Sequence, residues 1–313
     1  MKVRWGVLGV AGIATKKVVP AMQLGQHSEI VAIASRDLAR AQSAARDLGI
    51  PKAYGSYEAL LADPEIEAVY NPLPNHLHVP WSIRAADAGK HVLCEKPIAM
   101  SVAEALELVR ARDRTGVKIG EAFMVRTHPQ WLRARELVVS GRIGQLRAIS
   151  GFFSYYNDDP ANIRNKVELG GGALMDVGCY PIFCSRFLFG EEPVRALGSI
   201  DRDPAFGTDR LTSAVLEFPS GHAIFTSSTQ IAKYQRMLLV GTQGRIEIEI
   251  PFNAPNDRPT RILIDDTYEE FPICDQYTIQ GDLFSQAIRE GGEVAVPLEE
   301  SVKTMTVIES IRL

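Results

Sequence analysis

The chain has 313 residues, a formal net charge of −4, and apolar and charged fractions of 46% and 23%. That length suits two domains of ordinary size, and the composition is that of a folded globular chain rather than a disordered one. The acidic balance argues against a nucleic-acid binder, which carries a basic face, and no apolar run is long enough to span a bilayer.

Met1 to Gly9 opens at once as a strand, so no leader peptide is expected. A helix over 13–24 follows, then the strand EIVAIAS and a helix closed by Gly49. A short strand near Ala53 and Tyr54, the strand IEAVYNPLP, a helix over 76–88, the strand KHVLCE, a helix over 102–115 and the strand VKIGEA complete the first series. Continuous apolar strands separated by amphipathic helices predict a parallel sheet covered on both faces, the doubly wound α/β arrangement. Beyond residue 121 the rhythm changes. A helix over 129–140 precedes the long strand QLRAISGFFSYYN, and a glycine-rich segment with a helix spans 170–189. VRALGSIDR, RLTSAVLEF, HAIFTSSTQ, QRMLLVG, GRIEIEI and TRILIDD then arrive with short turns between them, at Phe218 to Gly221 and Thr242 to Gly244. This predicts an α+β domain with a largely antiparallel open sheet over 122–313, joined to a nucleotide domain over 1–121. The chain reaches Ile311, Arg312 and Leu313 inside a final helix without a capping signal, and a longer chain is expected.

Gly9, Val10, Ala11, Gly12, Ile13 and Ala14 stand between the first strand and the first helix, the context a dinucleotide-binding loop requires. Gly9 suits the tight turn, Ala14 lets the helix pack close to the sheet, and the pyrophosphate would meet the free N–H groups of the helix start. Ala11 stands where the pattern has its second glycine. The second strand ends in Ser35 and Arg36, a hydroxyl and a guanidinium that suit a 2′-phosphate, so NADP is expected ahead of NAD. Asp37 is read as the N-cap of the next helix rather than a ribose-binding acid.

Lys96 lies just past the carboxyl end of the fifth strand, between Glu95 and Pro97, where open α/β sheets bind ligands. Without that context a Glu–Lys pair ending a strand is a surface ion pair of small worth. His76 and His78 are two apart but lack further ligands, so no metal site is expected; Asn75 or His76 is expected to cap the helix after Pro74. Phe123 and Arg126 follow the sixth strand, where substrate pockets tend to sit. Phe152, Phe153, Tyr155 and Tyr156 alternate so that one face can line a pocket or pack a core. The four cysteines, Cys94, Cys179, Cys184 and Cys274, form no CxxC pair and point to a reducing cytoplasm.

The GVAGIA loop, PNHLH at 74–78, CEKP at 94–97 and GGGALMDVGCYP at 170–181 together resemble the glucose–fructose oxidoreductase, inositol dehydrogenase and rhizopine-catabolism (Gfo/Idh/MocA) family. The likeness runs over essentially the whole chain and is strongest to the branch with dimeric dihydrodiol dehydrogenase and NADP-dependent D-xylose dehydrogenases. It implies a Rossmann domain carrying NAD(P) and a second domain whose open sheet forms the interface of a homo-oligomer, a dimer or tetramer. It also implies that Lys96 organises the reacting oxygen, that Tyr180 is the acid/base residue, and that the turn at Pro74, Asn75 and His78 borders the nicotinamide.

Asp176 and Tyr180 are four apart and would share a face of one helix, although Pro181 threatens to break it. Gly170, Gly171 and Gly172 ahead of them would let backbone approach a ligand. A phenol of ordinary pKa is a poor base at neutral pH, so a cationic Lys96 near Tyr180 would be needed to tune it. Asp176 would accept from a substrate hydroxyl. The expected activity is hydride transfer between NADP and a sugar or polyol. A trans-dihydrodiol dehydrogenase, a non-catalytic NAD(P)-binding regulator and an NAD-dependent glycosidase are the rivals.

Overall fold

A computed structural model describes residues 1–312; Leu313, the last residue of the expected second domain, lies outside the described residues. Two compact units emerge. The first comprises Met1–Met124 with Asp275–Val302, and the second Val125–Cys274 with the chain from Lys303.

The first unit holds a six-stranded sheet of β1 (Val3–Leu8), β2 (Ser28–Ala34), β3 (Lys52–Tyr54), β4 (Ala68–Asn71), β5 (His91–Glu95) and β6 (Ile119–Ala122). Its order is β3-β2-β1-β4-β5-β6 with every pair parallel, the doubly wound Rossmann order. Covered on both faces, β1 and β4 are apolar along almost their whole length. The first helix widens into a π turn over Ala14–Val18 before α1 (Val19–Gln23). Helix α2 (Leu38–Leu48) starts at Asp37, whose carboxylate accepts from the N–H groups of Ala39 and Arg40, and ends at left-handed Gly49. A short α3 (Tyr57–Leu61), which the sequence pattern does not announce, precedes β4. Asn75–Leu77 form a 3-10 turn leading into α4 (His78–Asp87), which opens with no side-chain cap, so neither Asn75 nor His76 has the capping role expected of them. Helix α5 (Val102–Thr115) is capped by Ser101 and closed by Gly116.

The expected division placed residues 275–302 with the second domain, yet they group with the first sheet. Helix α8 (Gln276–Glu290) supplies the reason. Phe284 packs on Trp5 with ring centroids 5.5 Å apart, Trp5 Nε1 donates to Ser285 Oγ at 3.0 Å, and Asp282 accepts from the N–H groups of Gln26 and His27. Burying two large aromatic rings stabilises by about 1.5–3 kcal/mol each, so the returning helix is held firmly.

The second unit contains α6 (Pro129–Val139), α7 (Cys179–Phe189), and an eight-stranded sheet. Its strands are β7 (Leu146–Tyr156), β8 (Arg195–Arg202), β9 (Asp209–Phe218), β10 (Gly221–Ser228), β11 (Gln230–Gly241), β12 (Arg245–Ile248), β13 (Thr260–Ile264) and β14 (Thr267–Phe271). The order is β14-β13-β12-β11-β7-β10-β9-β8; only β7 and β10 pair parallel. Pro219 and Ser220 make the two-residue turn between β9 and β10, where Phe218 pairs with Gly221. Helix α7 is mostly apolar and buried almost throughout, its buried Arg186 paired with Glu192. A last helix, α9 (Leu298–Arg312), ends the described chain. Among the described residues no helix is long and apolar enough to cross a membrane.

Candidate active site

At the carboxyl ends of β1 and β2 the expected loop is present. Gly9 has φ of 102°, a conformation that disfavours a side chain, and a Cβ there would press on Leu73. Ala14 is fully buried against the sheet, whereas the space over Gly12 is open. Ser35 is buried and Arg36 exposed. Asp37 caps α2, its Oδ1 accepting from the N–H groups of Ala39 and Arg40. Arg40, which sequence reasoning missed, reaches back from α2 to donate to the Val10 carbonyl at 3.0 Å. Burial pushes the Tyr57 phenol up, and Arg36 and Arg40 beside it oppose that rise. Two guanidiniums therefore flank the end of β2 within reach of one tyrosine. Further along the same sheet edge, His76 Nδ1 is buried without a hydrogen-bond partner. An open glycine, a helix start, paired guanidiniums and an orphaned ring nitrogen fit a phosphorylated dinucleotide. Gly9, Ala11, Gly12 and Ile13 would hold its pyrophosphate, and Ser35, Arg36 and Arg40 its 2′-phosphate.

Lys96 follows β5, and the Lys96–Pro97 peptide is cis. Glu95 is anchored: Oε1 accepts from the Tyr70 hydroxyl at 2.6 Å and Oε2 from the Lys96 N–H at 3.3 Å. Burial, reinforced by Glu95, holds the Tyr70 phenol well above its usual value. His78 is buried, with Nδ1 2.8 Å from the Pro97 carbonyl and Nε2 2.7 Å from the Leu73 carbonyl. Its imidazole thus clamps the turn after β5 to the turn after β4, which engages both ring nitrogens and leaves neither for a metal. Burial lowers its pKa to about 4, although the two carbonyls favour the protonated ring. Beneath the same turn lies Glu121 of β6, unforeseen from sequence. Its Oε1 accepts from the Ile98 N–H at 2.9 Å while Oε2 is buried and unpartnered. Burial raises this carboxyl to about 7; nearby Ser301, the Ile98 N–H and Lys96 oppose the rise.

Phe123 and Lys96 belong to the first unit, and Arg126, Asp176 and Tyr180 to the second. Phe123 is buried. The Arg126 guanidinium lies over the Phe187 ring, 4.5 Å from its centroid. His128 caps α6 by accepting from the Gln130 N–H, and burial takes its pKa down to about 4.

In the second unit a π turn over Leu174–Gly178 runs directly into α7, so Asp176 and Tyr180 ride on one helical run. Pro181 falls just behind the wider turn, and the helix widens rather than breaks. Tyr180 sits among Phe153 and Phe252, with centroids 5.3 and 5.2 Å away. Phe153 and Tyr155 share the β7 face turned to this helix, whereas Phe152 lies against Tyr234 on the other face and Tyr156 is exposed. Asp176 Oδ2 accepts from the Tyr155 hydroxyl at 2.5 Å and from Arg164 Nε at 2.9 Å. Two of the three glycines serve this arrangement. A Cβ at Gly171 would collide with the Arg164 carbonyl, and one at Gly172, where φ is 117°, with the Asp209 carboxylate. Asp209 in turn accepts from the Leu174 N–H at 2.6 Å, fastening the start of the helical run.

Two family models match the chain: one described as an oxidoreductase family with an NAD-binding Rossmann fold over residues 3–123, the other as the GFO/IDH/MocA C-terminal domain over 131–247. An uncharacterized oxidoreductase of Rhizobium meliloti is 50% identical over 99% of this chain and 96% of its own. A protein of Haloferax volcanii named D-xylose 1-dehydrogenase (NADP(+)) 2 is 41% identical over 98% of this chain and 95% of its own. Among solved structures, a 3-ketoreductase of Actinomadura kijaniata in complex with NADP and TDP-benzene superposes with a TM-score of 0.92 at 30% identity, covering 100% of this chain and 97% of that one. The Rossmann strand order, the glycine loop at its switch point and these likenesses agree: the chain belongs to the Gfo/Idh/MocA family of oxidoreductases.

Proposed function

We propose that the protein is an NADP-preferring dehydrogenase or reductase acting on a sugar or polyol, with Tyr180 as the proton partner and Lys96 assisting. The observation that carries this reading is Asp176 and Tyr180 on one helical run, the carboxylate fixed by two hydrogen bonds and the phenol packed among aromatic rings. A binding protein has no need of such a pair. The relatives named as a xylose dehydrogenase and a ketoreductase support the substrate class.

When bound, NADP supplies the hydride acceptor or donor. Arg36 and Arg40, with Ser35, hold its 2′-phosphate, and Pro74 and Asn75 border the nicotinamide end together with His76, which replaces the expected His78 because the His78 ring is taken up by the Pro97 and Leu73 carbonyls. In oxidation Tyr180 takes the hydroxyl proton of the carbinol, and in reduction it returns one. Lys96 holds the same substrate oxygen and favours the phenolate, because a nearby cation stabilises the charged form. Asp176 accepts from a neighbouring substrate hydroxyl. Glu95, tied to Tyr70, positions Lys96.

The test follows NADPH absorbance with NADP or NAD and a panel of D-xylose, D-glucose and a trans-dihydrodiol. Turnover with NADP is expected to fall by about 10²–10⁴-fold in Tyr180→Phe and Lys96→Ala. Consumption of the dihydrodiol alone transfers the substrate class to the dihydrodiol reading. Cofactor binding with no turnover on any substrate sinks the enzymatic one.

We also infer self-association through the eight-stranded sheet. Leu197, Ile224, Tyr234 and Val240 are exposed on β8, β10 and β11, and strand register puts them on one face with Phe152. Exposed apolar surface of this kind marks an interface. Light scattering should show an oligomer that Ile224→Asp dissociates.

A further inference from the structure

Arg164 occupies a built position. Its N–H donates to Asn162 Oδ1 at 3.1 Å, and its carbonyl accepts from the Gly172 N–H at 2.9 Å. The absent side chain of Gly171 makes room for that carbonyl. The next residue, Asn165, is buried and ties the loop to the Asp159 carbonyl at 2.9 Å. A short loop fastened at both ends thus delivers one cation to the helix that carries Asp176 and Tyr180. Only one of the five N–H donors of the guanidinium, the one on Nε, is committed to Asp176. The Arg164 side chain is 42% exposed while that of Asp176 is 13% exposed, so the pair presents its donor end to solvent.

We propose that Arg164 is a positioning and specificity-determining residue, which favours the phenolate of Tyr180 and, with Asp176, recognises a 1,2-diol. The proposal rests on the reading of Tyr180 as the proton partner. A guanidinium is permanently charged, and this one feels Asp176 foremost, with the phenols of Tyr155 and Tyr180 also adding to its hold on its proton. By reciprocity the cation draws the Tyr180 phenol toward the phenolate. Phe153 from β7 and Phe252 from the segment after β12 pack on the Tyr180 ring, and Arg164, held by Asp176 beside Tyr155, adds its charge to that of the Lys96 already proposed for this phenol. Diol recognition follows from the hydrogen-bond signs. Asp176 accepts from one hydroxyl while a terminal nitrogen of Arg164 donates to the oxygen of its neighbour, the two side chains being held next to each other by the Nε to Oδ2 hydrogen bond of 2.9 Å. Because carboxylate and guanidinium cancel in charge, the pair suits a neutral sugar or polyol over a sugar phosphate or sugar acid.

The experiment uses the full chain with Arg164→Gln and Arg164→Lys, each first checked for an unchanged Tm. Ultraviolet titration of tyrosinate, taken as the difference between each background and the same protein with Tyr180→Phe, reports the Tyr180 ionisation without any turnover. Arg164→Gln should make the Tyr180 phenolate about tenfold harder to form, and Arg164→Lys should restore it. Calorimetric titration of the NADP-loaded protein with D-xylose and with its 2-deoxy analogue should show discrimination between them lost about tenfold in both variants, since lysine lacks the planar fork. An unmoved tyrosinate titration and unaltered discrimination in Arg164→Gln overturn the proposal. Should Tyr180→Phe retain turnover while Arg164→Gln still moves the phenol, the acid/base reading has failed and the placement of Arg164 stands.

Discussion

Glu121→Gln probes the floor under Lys96. The wild-type carboxyl uses Oε1 to accept the Ile98 N–H and leaves Oε2 buried and unpartnered, near a Ser301 hydroxyl that completes no hydrogen bond either. Burial lifts its pKa from 4.5 to about 7. A folded-state value above the unfolded one means that, between those two pH values, the folded chain binds more protons. Stability therefore falls as pH rises through this window and is flat above it. A rise of 2.5 pH units, 7 minus 4.5, corresponds at about 1.4 kcal/mol each to roughly 3.5 kcal/mol as an upper bound. Glutamine keeps the acceptor for Ile98, offers an N–H₂ where Oε2 was, and never ionises. Thermal unfolding should find the variant close to wild type at pH 5 and more stable at pH 8, by roughly 5–10 °C for a domain of this size. His78 and His128, both lowered to about 4 by burial, act oppositely. The unfolded chain protonates these first, so stability rises between pH 4 and 6.5. The diagnostic quantity is accordingly the difference between variant and wild type at each pH, in which the histidines cancel. An identical pH dependence in both proteins refutes the reasoning.

Two further outcomes test the dinucleotide end. On the proposed assignment of both guanidiniums to the 2′-phosphate, Arg36→Ala and Arg40→Ala should each raise KM for NADP about tenfold or more and change KM for NAD much less; equal effects on both cofactors would contradict that assignment. Asp37→Ala should lower stability by about 1 kcal/mol in denaturant titration, the usual worth of an N-cap, with the NADP to NAD preference retained. Loss of NAD binding with NADP binding retained would show Asp37 to be a ribose ligand after all.

Features encoded over a few neighbouring residues were legible in the sequence. The tight turn at Gly9, the cap at Asp37, the end of β5 at Glu95 and the two-residue turn after Phe218 depend on local backbone preference, which the chain states position by position. So did the doubly wound first sheet, since continuous apolar strands between helices admit few other packings. The glycines at 171 and 172 were visible, but not their reason: they clear space for the Arg164 carbonyl and the Asp209 carboxylate, and only folding brings those atoms there.

What the linear order could not reveal are contacts between elements. Arg40 reaches a loop 30 positions away, Glu121 meets Ile98 across 23, and Arg164 meets Asp176 from a loop whose composition says nothing of charge pairing. Likewise helix α8 follows the second sheet in the chain but packs on Trp5, 280 positions from Ser285. Periodicity tells a helix which face is apolar and not which core receives it. By itself the sequence determined the strand rhythm, the cofactor loop and the candidate Lys96, Asp176 and Tyr180. Tertiary structure alone decided which buried polar groups find partners, because hydrogen bonding and desolvation depend on atoms that the chain brings together only on folding.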